Sequence, residues 1–125
     1  MKLRILDDSI RLRLTQSEVA EIGDRRRVEG RTRFPGGDEL CYALVAAQVD
    51  APTASFEAGQ VTVTVPIGDA LDWARSDRVG IESHLSLDHG ELRVLIEKDF
   101  RCLAPRDGED QSDAFAHPDA ARGHT

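Results

Sequence analysis

No stretch of the chain constrains its architecture more tightly than Gln60-Val61-Thr62-Val63-Thr64-Val65-Pro66. Val61, Val63 and Val65 alternate with Thr62 and Thr64. A period of two puts every valine on one face of a strand, and β-branched side chains suit a pleated surface. Pro66 ends that pattern and suits the first turn of a helix. Beyond it Ile67, Ala70, Leu71 and Ala74 recur at helical spacing with Trp73 beside them, which predicts a helix over 66–76. Upstream, Ala58-Gly59-Gln60 reads as the turn of a hairpin whose first arm is Ser55-Phe56-Glu57.

Similar signals extend in both directions. Leu3 and Ile5 alternate with Lys2 and Arg4. Asp7-Asp8-Ser9 turns the chain, and Ile10, Leu12 and Leu14 alternate with Arg11 and Arg13. Thr15 and Glu18 stand in the relation of a capping box, so a short helix follows, with Val19 and Ile22 inward and Gly23 as its stop. Arg27 to Phe34 reads as a strand with one very polar face. Pro35-Gly36-Gly37-Asp38 is a turn, and Leu40, Tyr42 and Leu44 continue as a strand to about Gln48. Its Ala-rich end is also compatible with helix. Val79, Ile81, Leu85 and Leu87, a turn at Asp88-His89-Gly90, and Leu92, Val94 and Ile96 make a last hairpin. No internal repeat of fixed period is evident.

These elements predict an α+β fold: a mainly antiparallel curved sheet or open barrel of about seven to eight short strands with two short helices. The short connections imply antiparallel neighbours, because parallel pairs need long crossovers. One domain is expected over residues 1–103. After Leu103 no periodic apolar face remains. Residues 104–125 carry five acidic side chains and two prolines, which predicts an acidic tail that is flexible or docked by a few contacts.

The chain has 125 residues, 40% of them hydrophobic and 31% charged, which is globular rather than disordered composition. A net charge of −7 disfavours nucleic acid as a partner. The charge is uneven: residues 1–34 hold nine Lys+Arg against six Asp+Glu, so a local anion site is compatible with the acidic whole. The opening residues build no apolar run, and no segment approaches the length needed to span a bilayer. The two cysteines, Cys41 and Cys102, fit free thiols in the cytoplasm.

Two stretches carry a family likeness. They are Ser9-Ile10-Arg11-Leu12-Arg13-Leu14-Thr15-Gln16-Ser17-Glu18-Val19, and Glu97-Lys98-Asp99-Phe100-Arg101-Cys102-Leu103 with Glu109-Asp110-Gln111-Ser112-Asp113-Ala114-Phe115. Together they resemble a family of short uncharacterised bacterial proteins. The resemblance covers most of the chain and implies a bacterial cytoplasmic protein with no assigned activity. The triphosphate-tunnel barrels are a looser comparison. Their first-strand signature of alternating glutamates and a lysine is absent here, where the chain reads Lys2-Leu3-Arg4-Ile5-Leu6.

Three constellations are chemically suggestive. Arg4, Arg11, Arg13, Arg27, Arg31 and Arg33 lie on strands where residues two apart share a face. Guanidinium forks bind phosphates and carboxylates bidentately, so these are candidate anion-binding residues. The competing reading is a solvated face paired with local carboxylates. Asp99, Cys102, Asp110, Asp113 and His117 combine soft and hard metal donors without an established spacing, against the plainer reading of a solubilising tail. Cys41 or Cys102 as a nucleophile would need His84 or His89 alongside. No phosphate loop, nucleotide fingerprint or serine elbow is present, and no cofactor is implied.

The sequence therefore favours a non-enzymatic cytoplasmic binding or protein-interaction domain, with a protein partner or self-association and no membrane. The alternative is an enzyme or sensor for a phosphorylated small molecule, using the arginine face and a divalent metal.

Overall fold

All the period-two segments become strands in the structure, a computed structural model that describes residues 1–100 and 112–116. The described elements run β1 (Lys2–Leu6), β2 (Ser9–Leu14), α1 (Gln16–Arg25), β3 (Arg27–Arg33), β4 (Glu39–Ala47), β5 (Thr53–Glu57), β6 (Gln60–Pro66), α2 (Ile67–Arg75), β7 (Gly80–Ser86) and β8 (Glu91–Lys98). The Ala-rich end of β4 is strand, held in register with β6 as far as Ala47–Pro66. The fold is α+β, as its sequence indicates.

The strands form two four-stranded sheets rather than one, in the orders β1-β2-β8-β7 and β3-β4-β6-β5. Neither closes into a barrel. Each sheet is two antiparallel hairpins joined by a parallel central pair, β2 with β8 and β4 with β6. The expectation of antiparallel neighbours throughout is thus corrected. Short connections fix the pairing of consecutive strands only, and both central pairs join strands that are not consecutive.

The order of elements repeats. Hairpin β1–β2, helix α1 and hairpin β3–β4 are followed by hairpin β5–β6, helix α2 and hairpin β7–β8. The halves exchange hairpins, so each sheet takes one from each half. Matched positions share burial rather than identity. Leu12 and Leu14 correspond to Val63 and Val65, Val19 and Ile22 to Ala70 and Trp73, Val28 to Ile81 and Leu44 to Ile96, and all are buried. The first turns match as well, with Asp7 at φ 48° and Ala58 at φ 50°. A repeat carried by burial alone is invisible as a sequence period.

The buried side chains of both sheets and both helices form one core, with Trp73, Leu12, Leu14, Ile22 and Leu44 among its largest members. The helices pack against each other. Helix α1 starts in the expected capping box: the Glu18 amide donates to Thr15 Oγ1 (3.4 Å) and the Thr15 amide to Glu18 Oε1 (3.0 Å). It does not stop at Gly23. It continues to Arg25, and Arg26 takes the left-handed conformation at φ 64°. Glycine permits that conformation without demanding it. Here the stop is set by β3, where the Arg26 carbonyl already accepts from Ala46 N–H (2.9 Å). Pro66 stands at the N-cap position of α2 without a side-chain hydrogen bond, and the Trp73 indole donates to the Val79 carbonyl (3.1 Å).

Residues 112–116 lie against this body. The Gln16 amide donates to the Asp113 carbonyl (2.9 Å), and the Phe115 amide to the Asp99 carbonyl (2.7 Å). Ala114 is buried, and the Phe115 ring meets Phe100 at 5.8 Å between centroids. Lys98 lies over the Phe115 ring at 5.5 Å and donates to the Ser76 carbonyl (2.7 Å) at the end of α2. Burial lowers the Lys98 pKa against an opposing pull from Asp77. No helix among the described residues is long and apolar enough to cross a membrane.

Candidate functional site

The inner face of the first sheet carries Leu12, Leu14, Val94 and Ile96, all buried. Period-two alternation sends the residues between them to the other face. Register places Lys2 opposite Arg13, Arg4 opposite Arg11 and Leu6 opposite Ser9. Across the parallel pair Arg13 faces Glu97, Arg11 faces Leu95 and Ser9 faces Arg93. Glu82 and His84 complete the rows from β7. The outer surface therefore gathers Lys2, Arg4, Arg11, Arg13 and Arg93 against Glu82, Glu91 and Glu97, in a chain of net charge −7.

The carboxylates on this face are engaged, Glu91 with His84 Nδ1 at 3.1 Å. Glu97 accepts a hydrogen bond from Arg11 Nε, and Arg13 Nε is 3.9 Å from the same oxygen. Lys2 Nζ is 3.0 Å from Asp99 Oδ2. Arg93 Nε donates to Glu82 at 2.9 Å, and this guanidinium holds the Glu82 carboxyl below the usual carboxylate range, with a smaller contribution from His84. Arg4 has no carboxylate partner among the described residues. A shallow concavity of about 240 Å³ is lined by Arg4, Ser9, Arg11 and Arg93 with Leu6, Ile10 and Leu95. A second, of about 180 Å³, is lined by Lys2, Arg4, Arg11 and Arg13.

The six arginines singled out by sequence do not converge. Arg4, Arg11 and Arg13 lie on the first sheet. Arg27, Arg31 and Arg33 lie on β3, an edge of the second. There Arg27 pairs with Glu29, and Arg31 Nη1 is 3.7 Å from Glu39 Oε1. The concavity nearby mixes charges, being lined by Glu29, Gly30, Arg31, Glu39 and Cys41. Lys2 and Arg93 belong to the cationic face and were not singled out. The spacing of Lys2 from Arg4 carries that information, whereas Arg93 joins only through the β2–β8 pairing.

The proposed metal donors are also dispersed. Asp99 is buried and ion-paired with Lys2. Asp113 accepts from the Ser17 amide (3.3 Å) and hydroxyl at the start of α1. Hydrogen bonds from Ser17 and then Thr15 hold its carboxyl below the usual range. Cys102, Asp110 and His117 lie outside the described residues. Among the described residues, no three His, Cys, Asp or Glu side chains group as metal ligands. Cys41 is a free thiol on the second sheet, while His84 sits on the first.

The chain belongs to a family of unknown function (DUF7009), whose profile matches residues 1–119 and so includes the docked segment 112–116. No curated protein and no solved structure matches it.

Proposed function

We propose that the chain is a non-enzymatic cytoplasmic binding domain that docks an acidic protein segment on the outer face of the first sheet. The concentration of Lys2, Arg4, Arg11, Arg13 and Arg93 on one solvent-facing surface of an acidic molecule carries this reading. Such a patch focuses the local potential and draws in an opposite charge despite the net repulsion of the whole. The surface is open: the Lys2, Arg13 and Arg93 side chains are 58%, 42% and 53% exposed. Small-molecule sites enclose most of their ligand. An open cationic sheet instead suits an extended chain whose carboxylates recur every second residue, at the spacing of the arginines beneath. The free Cys41 thiol fits a reducing compartment.

The concavity between Arg4, Arg11 and Arg93 favours a second reading, in which the domain is an enzyme or sensor that holds the phosphate of a small molecule. One experiment separates the two. The amide resonances of the full chain are followed while a hexaglutamate peptide or inorganic tripolyphosphate is added, for the parent protein and for R4Q/R13Q. The first reading requires peptide-induced shifts confined to β1, β2 and β8, weakened roughly tenfold in the variant (about 1.4 kcal/mol). Response to tripolyphosphate alone transfers support to the second reading. Silence with both, or shifts mapping to β3 and β4, overturns both.

A further inference from the structure

We infer that the free edge of β5 is a self-association surface, through which two copies of the chain join their second sheets into one continuous sheet. Four strands are edges among the described residues: β1, β3, β5 and β7. Exposed edges attract further strands unless charge or proline guards them. β1 carries Lys2 and Arg4, β3 carries Arg27, Glu29, Arg31 and Arg33, and β7 carries Glu82 and His84. β5 reads Thr53-Ala54-Ser55-Phe56-Glu57, with its only charge at its last residue. Phe56 is 70% exposed, the most exposed large hydrophobic side chain among the described residues. Its register partner Val61 is buried, so Phe56 stands on the core side of the sheet at the point where the sheet runs out.

The backbone specifies how a second copy fits. Glu57 and Gln60 flank the two-residue turn Ala58-Gly59. Such a turn is closed by a hydrogen-bonded pair, so the N–H and C=O groups of Ala54 and Phe56 point away from β6. A second β5 laid antiparallel about a two-fold axis at Ser55 sets Ala54 opposite Phe56 of the second copy, and Phe56 opposite its Ala54. Those outward groups then bond in both directions. The small Ala54 leaves room for the facing ring, and the contact closes on itself as an isologous dimer. Shifting the register by one pair sets Phe56 against Phe56 or Ala54 against Ala54. The same operation on β1 would set Arg4 against Arg4.

The test is light scattering of the full chain from micromolar to millimolar concentration, together with oxidative cross-linking in a background lacking Cys41 and Cys102. At the two-fold axis Ser55 faces its own copy in a non-hydrogen-bonded pair, with Cα atoms about 4.5 Å apart, inside the range a disulfide spans. The inference requires a concentration-dependent dimer that F56K abolishes with its circular dichroism unchanged. It also requires S55C to cross-link well ahead of T53C, whose opposite residue is Glu57. A monomer over the whole range, a dimer indifferent to F56K, or equal cross-linking at the two positions overturns it. R4Q/R13Q should dimerise like the parent chain, which keeps this outcome separate from that of the cationic face.

Discussion

Gly30 sits on β3 directly opposite Tyr42 on β4, and the tyrosine ring lies across it. A Cβ at this position would be 2.5 Å from Tyr42 Cε2, 2.6 Å from Cζ and 2.8 Å from the hydroxyl oxygen. The ring is not free to swing aside, because its hydroxyl donates to the Met1 carbonyl at 3.2 Å and so ties the second sheet to the start of the first. Gly30→Ala must displace the ring, which costs about 1 kcal/mol for the hydrogen bond and about 1–3 kcal/mol for overpacking. Against this, alanine recovers about 0.5–1 kcal/mol of the conformational entropy that glycine loses in a strand. The net expectation is a loss of about 2 kcal/mol, or roughly 6–12 °C in melting temperature for a domain of this size. Urea and thermal denaturation of G30A, Y42L and the double variant form a complete cycle. In the Y42L background the alanine should be neutral or stabilising. A G30A chain as stable as its parent, or an equal loss in both backgrounds, would refute the reasoning.

Two further outcomes concern the docked segment. Thr15→Ala removes the side-chain acceptor of the α1 capping box and should cost about 1 kcal/mol in chemical denaturation. It should also raise amide exchange at Phe115, since Thr15 helps hold the Asp113 carboxylate. The Asp113 pKa is depressed on folding, so its contribution is complete above the usual value of 3.8 and is lost as pH falls through the lower folded value. Exchange at the Phe115 amide should therefore rise below about pH 3.8, with Asp113→Asn abolishing that step.

The local elements were legible because each depended on its own residues. Val61 to Val65 could be a strand and little else, and Thr15 with Glu18 marked a helix start that the structure keeps. What escaped was every decision made between distant residues. Nothing in Ser9–Leu14 announces that its neighbour will be Glu91–Lys98, so neither the parallel pair nor the place of Arg93 beside Ser9 could be read in advance. For the same reason the two arginine groups looked like one set until the sheets separated them. Phe115 looked isolated in the sequence because its partners, Phe100 and Lys98, lie across the fold. The repeat stayed hidden because Ile22 and Trp73 fill equivalent places with side chains of different size.

The exchange of hairpins between the halves sets an order of assembly. The second sheet is drawn from β3 to β6, a continuous middle portion of the chain, and can form as soon as that portion exists. The first sheet joins β2 to β8 and must wait for almost the whole described chain, paying the entropy of a long loop before any contact rewards it. During synthesis β2 keeps an open edge until β8 arrives, and Arg93 reaches Arg4 and Arg11 only then. The cationic face is thus completed only when β8 takes its place beside β2. A chain cut within β7 would retain the segments of the second sheet with the β1–β2 hairpin, and lose Arg93 and the strand that β2 pairs with.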